Sequence, residues 1–373
     1  MTAQNSDPFE VSPTSTSVLR PPSSVLTVDA AVHPQVAYQH DLREYMQEPY
    51  RSKPFPGPGR YFYPNPIGED LPGTKPEAGL AGSDPALLER HLFAERGVDY
   101  AILFPLLRGL LPEVDLAAAL CAATNDWLDD VWLSKANRHG RYRGTLRISP
   151  SEPELAVREI ERWAGHPHFV QIAVPMQSHN PYGQRQFFPI WEAAARNNLP
   201  VAIHADGGAS VDYWPTPAGY FSHFIEYSAF YPANFLFHLA SLMAEGVFDR
   251  LENLKVVFAD GGLDLLAPLM WRLDKDWRPT RHEMPWMQHM PSRYLRGHVR
   301  FCAHGLEGPR DPAQMCEWLR INDAEHLLLF ASNYPRWDFF EPRGAYDGVP
   351  AQVRRRILGE NARDLYRLPP AQD

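Results

Sequence analysis

Residues 238–262 have the sequence HLASLMAEGVFDRLENLKVVFADGG, which joins a helical segment to a short buried strand. The helical segment reaches to about Phe248, and the apolar run LKVVFA at 254–259 follows it. Asp260 follows this run directly, and two glycines come after it. A helix, then an apolar strand with a polar residue at its end, is the pattern that recurs along this sequence.

The alternation of strand and helix occurs eight times. Each strand run is almost continuously apolar, as expected for parallel strands buried on both faces, and a segment with helical spacing follows it. This order predicts an α/β protein with a (β/α)8 TIM barrel over residues 25–373. A doubly wound open sheet is the competing layout, but no G-x-G-x-x-G turn follows the first strand. The predicted strands are 25–33, 99–104, 144–149, 169–174, 200–204, 254–259, 298–303 and 326–332.

The composition is that of a globular chain with an acidic balance. Hydrophobic residues make up 44% of the 373, aromatic residues 12% and charged residues 22%, which excludes a disordered chain. A net charge of -9 disfavours nucleic acid and anionic membrane as partners. No run approaches about 18 apolar residues, so no membrane span is predicted. Three cysteines cannot form a disulfide framework and the N-terminal segment does not resemble a secretory signal, so we expect a cytoplasmic protein.

Two segments rich in proline lie outside the regular alternation. Residues 1–24 are expected to form a flexible or draped N-terminal arm. Residues 54–82 form a Pro/Gly-rich insertion after the first strand, on the barrel face where active sites lie. This long insertion is interpreted as a lid, as a subunit contact or as a coil packed on the barrel wall. Because both segments are large for a lone barrel, we expect an oligomer.

Polar residues stand at the ends of several predicted strands. His33 ends the first strand, His204 the fifth and Asp260 the sixth, and Asn333 follows the eighth. Two imidazoles and a carboxylate that converge from different strands are typical of a site for a divalent metal, zinc or iron. The alternative for each histidine is a hydrogen-bonded packing residue. Burial of three such groups without a ligand would cost free energy, which favours a site.

The remaining histidines carry weaker signals. His238 is a fourth candidate metal ligand, but its place in the helical stretch NFLFHLASLMAEG also fits a packing role. His223 and His304 are weaker candidates still. Nucleophilic catalysis has no support, because the sequence has no G-x-S-x-G elbow.

Five segments together resemble the amidohydrolase-related family, in the branch that contains aminocarboxymuconate semialdehyde decarboxylase and resorcylate decarboxylase. The resemblance runs from about Val28 to Leu368, in the right order. It implies a (β/α)8 barrel and, usually, one divalent metal. The segments are VDAAVHP (28–34), PVAIHADGG (200–208), the 238–262 stretch, FASNYPRWDF (330–339) and RRRILGENARDLYRL (354–368).

The resemblance implies metal ligands at the ends of strands one and five. The family has a pair of ligands, one residue apart, at the end of strand one. His33 keeps the second position of this pair, but Ala31 occupies the first and has no donor atom. The ligand after strand five is kept as His204.

The other implied positions are catalytic candidates, and two of them differ from the family pattern. Asp260 occupies a place that is a catalytic histidine in the decarboxylases and an acid in other members. The family motif SDYPH is SNYPR at 332–336, so Asn333 replaces the ligating aspartate and Arg336 replaces the histidine. Asparagine can still ligate a metal through its carbonyl oxygen, but it brings no negative charge.

Three hypotheses follow from these substitutions. In the first, the chain is the companion subunit of a metal-dependent hetero-oligomeric enzyme, similar to the two-subunit 2-aminoisobutyrate hydroxylase, and works with a homologous subunit on a small organic acid. In the second, it is a self-sufficient metal-dependent hydrolase, decarboxylase or oxygenase that associates with itself. In the third, the barrel binds no metal, and Arg336 supplies a fixed positive charge beside Asp260.

Overall fold

Eight parallel strands lie side by side in the order in which they occur along the chain. In the computed structural model each strand pairs with the next, from β1 to β8, and the sheet curls into a nearly closed barrel. The predicted (β/α)8 fold is therefore confirmed. The structure describes residues 25–53, 70–106, 111–205, 219, 221–304 and 308–369. The strands are β1 Val28–Val32, β2 Tyr100–Leu103, β3 Tyr142–Arg147, β4 Phe169–Pro175, β5 Val201–His204, β6 Val256–Phe258, β7 Val299–Cys302 and β8 Leu328–Leu329.

Successive side chains on most strands belong to two separate cores. On β5, Val201 and Ile203 pack in the larger core with the helices, whereas Ala202 packs in a second cluster with Ile102 and Val257. Because neighbouring strand residues point to opposite faces of a sheet, this second cluster fills the inside of the barrel. The strands are buried on both faces, which explains their almost continuous apolar sequence.

Helices follow the strands as predicted. The first begins after Asp84, whose carboxylate accepts hydrogen bonds from the backbone N–H groups of Ala86 and Leu87. Three helices continue into π-type turns, at Glu89–Glu95, Leu128–Lys135 and Arg356–Glu360. The helices are α1 Pro85–Leu88, α2 Val114–Trp127, α3 Pro153–Arg162, α4 Phe188–Arg196, α5 Phe224–Phe230, α6 Ala233–Ala244, α7 Val247–Arg250, α8 Leu266–Thr280, α9 Leu295–His298, α10 Pro312–Ile321, α11 Ala324–Leu327, α12 Ala351–Arg355 and α13 Asn361–Tyr366, with 3-10 turns at Gln39–Tyr45, Arg185–Phe187, Leu263–Leu265 and Pro291–Tyr294.

Part of the predicted insertion packs on the loop that follows β8. The N-terminal arm and residues 54–69 lie outside the described residues, whereas 70–82 are described as an irregular segment. Asp70 forms an isolated β-bridge with Arg336, and the N–H of Leu71 donates to the carbonyl of Pro335 over 2.8 Å. The insertion therefore contacts the same loop that carries the candidate site residues. Among the described helices, none is both long enough and apolar enough to cross a membrane.

Candidate active site at the carboxyl ends of the strands

The strand-end residues meet at one end of the barrel. Because all eight strands are parallel, the residues that follow β1, β5, β6 and β8 lie at the same mouth. His33, His204, Asp260 and Asn333 are all buried there, each less than 9% exposed. The structure therefore brings together the four polar residues that the strand ends predicted.

His33 is held in one orientation by polar contacts on both ring nitrogens. Its Nδ1 lies 2.9 Å from the backbone carbonyl of Phe104, and its Nε2 lies 2.7 Å from Oδ1 of Asn333. Burial, and secondly the neighbouring His204, lower the pKa of His33 to about 3, so the ring is neutral. Since a carbonyl only accepts, the single proton lies on Nδ1, and the Nε2 lone pair points towards Asn333.

His204 stands beside His33 and shares an aromatic neighbour with it. The centroids of the two imidazole rings lie 5.1 Å apart, and the ring of Phe104 lies 4.6 Å from that of His204. Both imidazoles are thus held against one apolar wall, so they face the same small volume at the mouth of the barrel.

The Asn333 amide cannot satisfy all of its neighbours. As placed, Oδ1 faces the lone pair of His33, while Nδ2 donates to Oδ1 of Asp338 over 2.7 Å and lies 3.1 Å from Nε2 of His304. Rotating the amide by half a turn repairs the contact with His33 but sets an oxygen against the Asp338 carboxylate. Each orientation leaves two like groups in contact, which is the pattern expected where a further ion or ligand completes a buried site.

The backbone at Asn333 has a conformation that suits its residue type. Its φ is 61°, in the left-handed region, which asparagine and aspartate adopt more readily than other side chains. This conformation is therefore compatible with the asparagine found here and with the aspartate of the family motif.

A buried ion pair between His304 and Asp260, which Asp338 joins, lies next to His33 and His204. Nε2 of His304 lies 3.1 Å from Oδ1 of Asp260 and 3.2 Å from Oδ2 of Asp338. Burial lowers the pKa of His304, but the charge of Asp338 and the hydrogen bonds to both carboxylates outweigh burial and raise it to about 10. For Asp260, burial raises the pKa, but the charge of His204 and the hydrogen bond from His304 prevail and hold it at about 2.

Asp260 is aimed into this site by the two glycines that follow it. Gly261 and Gly262 have φ angles of 107° and 99°, which side chains with a Cβ rarely adopt. The chain therefore turns sharply after β6, and the carboxylate stays at the mouth of the barrel.

Two residues that take part in this ion pair, His304 and Asp338, are not among the site residues predicted from the sequence. His304 was judged a weak candidate and Asp338 was not considered, although His304 follows β7 just as Asp260 follows β6. Its position at a strand end was a usable signal, whereas Asp338 is brought in only by the turn after β8. His304 is a cation beside Asp260 that the sequence-based hypothesis does not include, and Arg336, the cation of that hypothesis, lines the same cavity.

His238 lies in the packing environment that was the alternative to ligation. Its Nδ1 accepts a hydrogen bond from the backbone N–H of Tyr182 over 3.2 Å, and its Nε2 lies 2.7 Å from the carbonyl of Met176. The ring also stacks on that of Tyr182, with centroids 4.4 Å apart. Both ring nitrogens are used, so His238 has no lone pair to offer a metal, and its prediction as a ligand is not supported by this geometry.

A small cavity of about 50 Å³ opens onto the charged and hydrogen-bonding residues at the mouth of the barrel. Its polar lining comprises His204, Asp260, His304, Asn333, Arg336 and Asp338. Its apolar lining includes Phe224, Tyr227, Tyr231 and Trp337, the first three on or next to α5. The cavity therefore combines charged and hydrogen-bonding groups on one side with aromatic rings on the other.

The donor atoms fit one divalent ion, with fewer charged ligands than predicted. The lone pairs of His33 Nε2 and Asn333 Oδ1 face each other at 2.7 Å beside His204, and a shared cation would satisfy both. Among the described residues, no group of three or more His, Cys, Asp or Glu side chains is arranged to hold a metal. Asp260 pairs with His304, and Ala31 contributes nothing. The donor set that fits is thus two imidazoles and one amide oxygen.

Comparisons with known proteins agree with this architecture. The model of a family described as amidohydrolase matches residues 90–368, which is most of the barrel. The chain belongs to the amidohydrolase family. Gamma-resorcylate decarboxylase of Polaromonas sp. is 26% identical to this amidohydrolase over 183 residues, which are 45% of the chain and 49% of that protein. The chain thus spans about half the length of this curated relative.

Solved structures similar to this amidohydrolase share its fold. The 5-carboxyvanillate decarboxylase of Sphingomonas paucimobilis is 20% identical with a TM-score of 0.66, covering 92% of this chain and 99% of that one. A dihydroxybenzoic acid decarboxylase from Polaromonas sp., with bound manganese and the inhibitor 2-nitroresorcinol, is 19% identical with a TM-score of 0.63, covering 92% and 96%.

Proposed function

We propose that this chain is a metal-dependent enzyme that acts on a small organic acid, with decarboxylation of an aromatic acid as the leading reaction. The observation that carries the proposal is the pair of facing lone pairs on His33 and Asn333, next to His204, at the mouth of the barrel. The similarity to resorcylate and carboxyvanillate decarboxylases supports the reaction type.

Three side chains would hold the ion. Nε2 of His33, the imidazole of His204 and Oδ1 of Asn333 supply the donors, and the Phe104 carbonyl keeps the His33 proton on Nδ1. A divalent ion bound there acts as a Lewis acid that polarises a substrate oxygen. Manganese is the ion in one related structure, while zinc and iron remain the sequence-based predictions.

The side chains that line the cavity include groups that recognise an aromatic acid. Arg336 is the cation at the mouth that can pair with a carboxylate, and a guanidinium binds this group through two parallel hydrogen bonds. Phe224, Tyr227 and Trp337 offer ring faces against which an aromatic substrate can stack. These residues orient an acid towards His204 and Asp260.

Decarboxylation also needs a proton for the carbon that loses carbon dioxide. The Asp260 carboxylate has its pKa held at about 2, so it carries no proton near neutral pH. His304 lines the cavity and holds a proton between Asp260 and Asp338. In the proposed reaction this proton moves to the ring carbon, the bond between that carbon and the carboxylate breaks, and solvent reprotonates His304.

A companion-subunit role is the second candidate, and two residues, Ala31 and Asn333, favour it. Ala31 removes the first ligand of the family pair, and with Asn333 the donor set has lost two charged or strong ligands. In that case the chain forms a hetero-oligomer with a homologous, complete subunit, whereas the leading proposal expects an active homo-oligomer or monomer.

Metal analysis and turnover test the proposal directly. The purified chain is expected to bind about one Mn²⁺ and to release carbon dioxide from one acid of a panel that includes gamma-resorcylate and 5-carboxyvanillate. His204→Ala should bind less than about a tenth of an equivalent while keeping the circular dichroism of the parent. A folded parent chain that binds no divalent ion contradicts the proposal. Activity that appears only after addition of a homologous subunit supports the companion role instead.

A further inference from the structure

The seam between β1 and β8 contains an extra residue next to the site. The N–H of Ala30 donates to the carbonyl of Phe330 over 2.9 Å, and the N–H of His33 donates to that of Tyr334 over 2.7 Å. Between these two hydrogen bonds the chain advances three residues on the first strand and four on the last. The additional residue forms a bulge that ends at Asn333, and bulges commonly redirect a side chain beside an active site.

A buried carboxylate occupies the gap that this bulge leaves. Oδ1 of Asp29 accepts a hydrogen bond from the N–H of Ser332 over 2.9 Å and a longer one from the N–H of Ala31 over 3.4 Å. Asp29 has no exposed surface, and its Oδ2 has no hydrogen-bond partner among the described residues. One oxygen of Asp29 thus joins the two strands where backbone hydrogen bonds between them are missing.

Hydrogen bonds also hold the residues on both sides of Asn333. The hydroxyl of Ser332 accepts a hydrogen bond from the N–H of Tyr334 over 3.1 Å. The carbonyl of Ser332 accepts from the N–H of Phe340 over 2.8 Å. The residues before and after Asn333 are therefore fixed relative to β1, and this holds the Asn333 amide against His33.

We propose that Asp29 is a positioning residue that sets the contact between His33 Nε2 and Asn333 Oδ1, and thereby the geometry of the metal ligands. This inference rests on the proposed function. Asp29 accepts from the residue directly before Asn333 and from the residue two before His33, so it acts on both ligands through the backbone. The carboxylate touches neither of the two side chains.

Substitutions at Asp29 separate positioning from general stability. Asp29→Leu removes the acceptor, and we expect it to weaken Mn²⁺ binding about 10- to 100-fold, as the loss of supporting hydrogen bonds does in other metal sites. Asp29→Asn keeps an oxygen at the Oδ1 position and should restore affinity to within about threefold. Ser332→Ala, which removes only a hydroxyl, should weaken binding by a smaller factor and serves if Asp29→Leu does not fold.

Asn361→Ala is the matched control. Asn361 is buried and donates to the carbonyl of Leu328 over 2.8 Å, so it fixes the other end of β8. This variant should lower the melting temperature without changing Mn²⁺ affinity in calorimetric titrations. Parent-like affinity in folded Asp29→Leu, or in Ser332→Ala where that replaces it, would overturn the inference, as would an equal loss in Asn361→Ala.

A second measurement distinguishes failure of this inference from failure of the proposed function. If the parent chain binds no Mn²⁺, the proposed function is wrong, and the imidazole nitrogen resonances of His33 then decide the positioning role. A shift of its Nε2 resonance in Asp29→Leu or Ser332→Ala, but not in Asn361→Ala, supports the role. Unchanged resonances contradict it.

Discussion

His33 and Asn333 meet at 2.7 Å across the seam of the barrel, lone pair against lone pair. Replacing Asn333 by aspartate restores the carboxylate of the family motif, and φ of 61° is compatible with aspartate. We expect Asn333→Asp to bind Mn²⁺ at least about tenfold more tightly, because a charged oxygen replaces a neutral one. Asn333→Leu should abolish binding. Calorimetric titration measures both, and tighter binding by the leucine variant would contradict the assignment.

The His304 ion pair predicts a specific pH dependence of stability. The pKa of His304 is raised from 6.5 to about 10, so its contribution is complete below pH 6.5 and is lost as the pH rises through about 10. The pKa of Asp260 is lowered from 3.8 to about 2, so its contribution is complete above pH 3.8 and is lost as the pH falls through about 2. The metal-free chain should therefore be most stabilised by this pair between about pH 4 and 6.5.

His304→Gln tests this dependence. Breaking one partner of a buried pair costs about 3–5 kcal/mol, so the variant should melt well below the parent at pH 6. The difference should shrink towards pH 10, where the parent itself loses the proton. Melting curves in chelator at pH 6, 8 and 10 provide the measurement, with His326→Gln, a half-exposed histidine paired with Asp323, as the control. A difference that is independent of pH would refute the assigned charge.

Removal of the His238 hydrogen bonds should affect stability and not metal binding. His238→Phe keeps the stacking on Tyr182 but leaves the Met176 carbonyl and the Tyr182 N–H without partners. Each unsatisfied buried group costs about 1–3 kcal/mol, so the melting temperature should fall by several degrees. Mn²⁺ stoichiometry should equal that of the parent. Loss of the ion in a folded His238→Phe chain would reinstate His238 as a ligand.

Arg336 should determine affinity for the acid. We expect Arg336→Met to raise KM, or the Kd of a bound acid such as gamma-resorcylate, by about 10- to 150-fold, because a hydrogen bond to a charged group is worth about 1.5–3 kcal/mol. Arg336→Lys should recover part of the loss. The affinity for resorcinol, which has neither a carboxylate nor a nitro group, is the control and should change little. Equal weakening for both compounds would place Arg336 in loop structure instead.

The barrel could be predicted because the sequence features that produce its strands lie within short, continuous stretches of the chain. Strands buried on both faces are mostly apolar, and this made all eight visible in the sequence, although β3 also buries Arg143, Thr145 and Arg147. The regular part of β8 is shorter than predicted, Leu328–Leu329 against 326–332: the N–H of Phe330 donates to the carbonyl of Ile357 outside the sheet, and a bulge follows between Phe330 and Tyr334. Such a bulge depends on the partner strand, so the sequence of β8 alone does not reveal it.

Only those site residues that lie at the ends of strands could be predicted from the sequence. His33, His204, Asp260 and Asn333 follow strands, and the parallel topology alone brings them together. Asp338 reaches His304 through the turn after β8, and His238 is held by contacts with Met176 and Tyr182 on other segments. These contacts depend on tertiary packing, which periodicity and spacing do not encode.

The contact between His33 and Asn333 spans 300 residues of chain. Almost the entire polypeptide must be synthesised and folded before the last strand can dock on the first, and contacts this remote in sequence form late. A divalent ion that needs both residues can stabilise only the completed barrel, not a partly folded one. If the proposed site binds a divalent ion, metal uptake during refolding would therefore report closure of the barrel.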